Sequence, residues 1–127
     1  GGATYGQVAK LTAADAASGS GGGFGFFVAT DGDTIAVSAT GSVYIFHTSD
    51  GGASYDQVAK LTAADGHTVE FGWSMAIDGN TVVVGTIYGE AAYVFRTTDA
   101  GATYVEVAKL TASDASSSDD FGYSVAI

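Results

Sequence analysis

Tyr55-Asp56-Gln57-Val58-Ala59-Lys60-Leu61-Thr62-Ala63-Ala64-Asp65 decides how this chain is read, because it occurs three times. Earlier it stands as Tyr5-Gly6-Gln7-Val8-Ala9-Lys10-Leu11-Thr12-Ala13-Ala14-Asp15. Later it stands as Tyr104-Val105-Glu106-Val107-Ala108-Lys109-Leu110-Thr111-Ala112-Ser113-Asp114. The copies start 50 and then 49 residues apart. Working outward, Phe24-Gly25 recurs as Phe71-Gly72 and Phe121-Gly122. Asp31-Gly32-Asp33-Thr34 recurs as Asp78-Gly79-Asn80-Thr81, and Val43-Tyr44-Ile45-Phe46 as Ala92-Tyr93-Val94-Phe95. Four landmarks in one order make an internal repeat, and a repeat is the first thing to settle in a sequence.

Each unit reads as four short strands, a to d. Strand a is predicted over 71–77, where Phe71, Trp73, Met75 and Ile77 alternate with small residues. Asp78-Gly79-Asn80 makes a tight reversal, since these residue types tolerate positive φ. Strand b follows over 81–85, strand c over 91–97 and, after a glycine-containing turn, strand d over 104–110. The other full unit runs from Phe24 to Leu61. A lone strand d over 5–11 precedes it, and a lone strand a over 121–127 closes the chain, giving ten expected strands and no helix. Repeats of about 50 residues with four antiparallel strands have the pattern of propeller blades, and a single blade buries one face too poorly to stand alone. The expected fold is therefore all-β, tandem four-stranded antiparallel blades of a partial β-propeller. Its organisation is residues 1–23 as a lone strand d with its connector, 24–61 a full blade, 62–70 a connector, 71–110 a full blade, and 111–127 a connector with the first strand of a further blade. Two side-by-side sandwich domains are the alternative. Phe26, Trp73 and Tyr123 are expected to fill the space between blades.

Composition narrows the function. The chain has 127 residues, 46% of them hydrophobic, so it can build a core and is no disordered acidic tail. Four basic against 14 acidic residues give a formal charge of -10. That field repels phosphate, so no nucleic-acid partner and no docking on anionic lipid are expected. No apolar run is long enough for a spanning helix, so no membrane insertion is expected. Cysteine is absent, which removes disulfides and thiolate metal sites, and with no proline the 19 glycines must shape the turns. The strand-like run at Ile127 and the start at Gly1 lead us to expect a processed or partial chain.

The a-to-b segment, with Phe71-Gly72 opening it and Thr81-Val82-Val83-Val84-Gly85 closing it, resembles the FG-GAP repeat, the blade unit of integrin-α-type propellers. Phe24-Gly25 with Thr34-Ile35-Ala36-Val37 matches less fully, and Phe121-Gly122 is a truncated third copy. With Val-Ala-Lys-Leu-Thr-Ala before Phe-Gly, the unit looks like the compact variety found in large secreted microbial and algal proteins. The resemblance implies an extracellular or cell-surface setting. Many integrin-type repeats carry a calcium loop between strands a and b. Calcium wants about 6 to 8 oxygen ligands, and the loop here shrinks to Asp31-Gly32-Asp33 and Asp78-Gly79-Asn80. The expectation is a plain hairpin turn and no metal site. The c-to-d turns, Thr48-Ser49-Asp50-Gly51-Gly52-Ala53-Ser54-Tyr55 and Thr97-Thr98-Asp99-Ala100-Gly101-Ala102-Thr103-Tyr104, resemble an Asp-box, and Gly2-Ala3-Thr4-Tyr5 is the tail of a third. In sialidase propellers such turns are structural, and the same is expected here: the Asp carboxylate accepts backbone N–H bonds and the aromatic packs under the hairpin.

The inventory for chemistry is short. A sialidase grips its substrate with several arginines, and this chain has only Arg96. His47 shares a repeat position with Arg96, as expected of a solvated strand face rather than a catalytic base, and His67 lies in the variable d-to-a connector. Asp65, His67 and Glu70 cluster loosely without a second copy, so a solvated acidic loop is the default over a weak cation site. Lys10, Lys60 and Lys109 are equivalent and would guard an outer strand against edge pairing. The expectation is a non-catalytic extracellular scaffold for adhesion, surface structure or protein assembly, with no catalytic, cofactor or metal residues. Its partners would be proteins or further blades, since ten strands fall short of the about 4 to 8 blades of a closed ring. A glycan-binding, lectin-like module and a non-catalytic part of a larger propeller enzyme are the alternatives.

Overall fold

A computed structural model describes residues 6–12, 27–39, 41–64, 71–86, 91–111 and 125–127. Its strands are β1 (Val28–Asp31), β2 (Thr34–Ala39), β3 (Ser42–His47), β4 (Asp56–Leu61), β5 (Ser74–Asp78), β6 (Thr81–Gly85), β7 (Ala92–Arg96) and β8 (Val105–Leu110). They form two four-stranded sheets, β1-β2-β3-β4 and β5-β6-β7-β8, with every neighbouring pair antiparallel. This is the all-β, blade-like architecture the repeat predicts, and the described sheets do not close into a ring.

The two sheets copy one another down to register. Asp31 pairs with Thr34 and Asp78 with Thr81 around the first hairpin; Tyr44 pairs with Lys60 and Tyr93 with Lys109 across strands c and d. Both c–d ladders shift register at the same place, between Ile45 and Phe46 and between Val94 and Phe95. The extra residue there is Val58 or Val107 in strand d, a bulge that adds local twist. At each a–b hairpin only the glycine, Gly32 or Gly79, takes positive φ, 57° in both. That places glycine at the first central position, the II′ turn that suits the twist of a hairpin.

Alternation gives each sheet two different faces. Ala36, Val43, Ile45 and Leu61 of the first sheet meet Met75, Val82, Val84, Tyr93 and Phe95 of the second in one buried cluster. On the far side of the first sheet, Val37, Tyr44 and Phe46 form a smaller cluster with Leu11, Ile35, Ala39 and Tyr55. Tyr93 and Phe95 are the repeat equivalents of Tyr44 and Phe46. The first sheet therefore turns its Tyr-x-Phe side toward the preceding segment and its Val/Ile/Leu side toward the second sheet. The second sheet meets it with its own Tyr-x-Phe side.

Phe71-Gly72 wedges between the sheets. Phe71 is 2% exposed, and its ring meets Tyr93 edge-on at 5.4 Å and Phe95 at 6.1 Å. Gly72, at φ +92°, lies so near the first sheet that a Cβ there would stand 3.1 Å from Ser38 Cβ and 3.4 Å from Val43 Cγ2. The Phe-Gly pair thus places a large ring beside a residue whose lack of side chain lets two backbones approach.

Two expectations need correction. Strand a starts at Ser74, after the wedge, because Phe71 and Gly72 turn between the sheets instead of pairing with strand b. Trp73 is half-buried and outside the core cluster; Phe71 and Met75 fill the inter-sheet space in its place. Phe26 and Tyr123 lie outside the described residues. Of the expected flanking strands only 6–12 and 125–127 are described, and they pair with no described strand.

Candidate functional site

The polar groups of this chain gather at the turns. Thr48, buried at the end of strand c, donates through Oγ1 to Asp50 Oδ1 at 2.8 Å and accepts from the Gly52 N–H at 2.9 Å. The Asp50 carboxylate also accepts from Ser54 N–H at 2.9 Å and from Ser54 Oγ at 2.6 Å. The second turn repeats this atom for atom: Thr97 Oγ1 to Asp99 at 2.8 Å, Gly101 N–H to Thr97 Oγ1 at 2.9 Å, and Thr103 N–H and Oγ1 to Asp99 at 2.9 and 2.6 Å. Donors converging on a carboxylate favour its ionised form. The Ser54 hydroxyl first, then the Ser54 amide and the Thr48 hydroxyl, lower Asp50 from 3.8 to about 2. The Thr103 hydroxyl, the Thr103 amide and the Thr97 hydroxyl do the same for Asp99, also to about 2. Tyr104 lies half-buried under its turn, and burial, then the Asp99 charge, raises its phenol.

Two further carboxylates join one sheet to the other. Asp31 Oδ2, at the a–b hairpin of the first sheet, accepts from the Gly79 N–H of the corresponding hairpin in the second at 2.5 Å. Glu106 Oε1 on β8 accepts from the Ala64 N–H, just past β4, at 2.9 Å. Sequence reasoning missed both contacts. The recurrence of Asp at 31 and 78 marked the first position, but a carboxylate beside a turn reads as a local cap until the neighbouring sheet is known.

The residues weighed for catalysis stay apart. His47 is half-buried at the end of β3, with Nδ1 3.4 Å from Oγ1 of its cross-strand neighbour Thr34. Arg96 is exposed at the equivalent place opposite Thr81. His67, Asp65 and Glu70 lie outside the described residues, as do Tyr5 and Phe24. Among the described residues no group of three or more His, Asp or Glu side chains converges as a metal site, and no helix is long and apolar enough to cross a membrane. Lys60 and Lys109, on the edge strands, reach over the rings of Tyr44 and Tyr93, 5.4 and 5.5 Å from the centroids. Their ammonium groups stack on aromatic faces beside the edge they were expected to guard.

With the Phe-Gly wedge and the sheet repeat in place, comparison with known families is decisive. The family model described as FG-GAP repeat matches residues 5–55, 55–106 and 104–127. The chain belongs to the FG-GAP repeat family. No curated protein and no solved structure gives a match. The FG-GAP repeats run across the sheets rather than with them. The match over 55–106 contains β4, the last strand of the first sheet, and β5 to β7, the first three of the second. This FG-GAP repeat thus completes one sheet and begins the next, so the two sheets are tied covalently as well as by packing.

Proposed function

We propose that this chain is a non-catalytic scaffold segment of an extracellular propeller-type protein, working in adhesion, surface structure or protein assembly. One observation carries the reading: the side chains best suited to chemistry hold the architecture. Asp50 and Asp99 anchor the c–d turns, Asp31 and Glu106 bridge the sheets, and Lys60 and Lys109 cover tyrosines. A carboxylate saturated by three donors is a poor general base, since its proton affinity is already low. The FG-GAP family and the acidic surface fit a setting outside the cell.

The test immobilises the purified chain and presents extracellular proteins, a glycan array and a panel of chromogenic glycoside and ester substrates. Saturable protein binding without turnover is expected. Turnover abolished by His47→Ala would sink the reading in favour of an enzyme. Saturable glycan binding without protein binding would replace it with a lectin-like module.

A further inference from the structure

Aspartate followed by glycine is open to a rearrangement of the main chain. The glycine nitrogen attacks the aspartate Cγ, and its proton leaves with the carboxyl hydroxyl as water, closing a succinimide ring. Water then reopens the ring. Where it enters at the old main-chain carbonyl, the residue is left as isoaspartate, with its Cβ in the backbone. Glycine favours the attack because it has no side chain in the way. Asp-Gly occurs here at 31–32, 50–51, 65–66 and 78–79. Asp65 lies outside the described residues. The other three pairs are exposed, and a Cβ on Gly32, Gly51 or Gly79 would meet nothing within 4 Å. Crowding therefore protects none of them, and hydrogen bonding decides. Thr48 Oγ1, Ser54 N–H and Ser54 Oγ occupy the Asp50 carboxylate within its own turn. At the two a–b hairpins a single bond serves both sites. Asp31 Oδ2 accepts from the Gly79 N–H at 2.5 Å, so it holds the electrophile of one Asp-Gly pair and the nucleophile of the other.

We propose that Asp78 is a latent isoaspartate site, and that Asp31 holds it off from the neighbouring sheet by binding the Gly79 amide. An amide nitrogen attacks only when it sheds its proton and leaves the peptide plane. Donation to the Asp31 carboxylate keeps the Gly79 nitrogen planar and its N–H turned toward Asp31. Breaking that charge-assisted bond is added to the barrier. The same bond keeps the Asp31 carboxyl engaged on the second hairpin instead of on its own Gly32. The consequence runs back into the fold. Asp78 pairs with Thr81 across the turn, and an isoaspartate at 78 lengthens that turn by one backbone carbon. The Gly79 N–H is then carried off its Asp31 acceptor, so the change ends the contact that had delayed it. Chemical ageing at one exposed turn thus removes an inter-sheet tie irreversibly. The inference does not depend on what the chain binds.

The test ages the purified chain at neutral pH in heavy-oxygen water, which marks every reopened ring. Chymotryptic cleavage after Phe27, Tyr44, Phe46, Tyr55, Trp73 and Tyr88 puts Asp31, Asp50 and Asp78 on separate peptides, 28–44, 47–55 and 74–88. Isoaspartate is identified in each by enzymatic carboxyl methylation. Asp31→Ala should speed labelling at Asp78 by about 10-fold, the factor expected for one hydrogen bond to a charged group, and leave Asp50 unchanged. Asp33→Ala removes a carboxylate from the same hairpin without touching Gly79 and should leave Asp78 unchanged. An unchanged rate at Asp78 in Asp31→Ala would overturn the proposal, as would equal acceleration by Asp33→Ala. Slower labelling in Asp31→Ala would overturn it in favour of Asp31 as a base that promotes the reaction. If Asp31→Ala speeds Asp50 as much as Asp78, the variant has unfolded, and hydrogen exchange of the unaltered chain decides. The Gly79 amide should then exchange about 10-fold more slowly than in urea, and exchange as fast as in urea would overturn the guard.

Discussion

Gly72 sits at φ +92° with Ser38 Cβ 3.1 Å from where its own Cβ would stand. Backbone and packing both exclude a side chain there, so Gly72→Ala should cost about 1–3 kcal/mol in urea denaturation; a cost below about 0.5 kcal/mol would contradict both the backbone strain and the close approach. Ala100 is the opposite case. It takes φ +60° where the first turn uses Gly51 at +74°. Relief of its left-handed strain should outweigh the added freedom of the unfolded chain, so Ala100→Gly should stabilise by about 0.5–1 kcal/mol, measurable as a higher denaturation midpoint. Asp50 and Asp99 belong to this scale through pH. Their folded pKa values, about 2, lie below the ordinary 3.8. The unfolded state therefore takes up protons first as pH falls. Their contribution is complete above about pH 4 and is lost toward pH 2. Thermal melts of the chain and of Asp50→Ala/Asp99→Ala should differ at pH 6 and converge at pH 2; a difference that persists at pH 2 would contradict the assignment.

Strand d appears twice with nearly one sequence and two surroundings. Leu61 ends β4 in the core, whereas Leu110 ends β8 half in water. Leu61→Ala should cost about 2–5 kcal/mol and Leu110→Ala under about 1 kcal/mol, and chemical denaturation of the two variants distinguishes them. The alternation of strands b and c and the Asp-Gly hairpins were legible in the sequence, because period-two apolar residues and turn glycines are local signals. Where strand a begins was not. Phe71 and Trp73 continue the alternation of Met75 and Ile77, yet Phe71 leaves the ladder to occupy the gap between sheets, a choice made by the aromatic rings of Tyr93 and Phe95 rather than by its neighbours in the chain.

Because the FG-GAP repeat over 55–106 contributes strands to both sheets and Phe71 locks them, the two sheets should unfold as one unit. Phe71→Ala should cost about 3–5 kcal/mol and raise hydrogen exchange in β3 and β6 together; loss of protection in β5–β8 alone would show the sheets to be independent. The sequence by itself determined the unit: its length, its strands, its turn chemistry, and that it recurs. Those are local properties, and each copy states them again. Tertiary structure alone decided that the sheets face one way, Tyr-x-Phe backward and Val/Ile/Leu forward. It also decided that Asp31 and Glu106 reach across to the neighbouring sheet, and that equivalent residues such as Leu61 and Leu110 meet different fates. The physical reason is that alternation in a strand says which side chains share a face, while only the neighbouring sheet determines which face is removed from water.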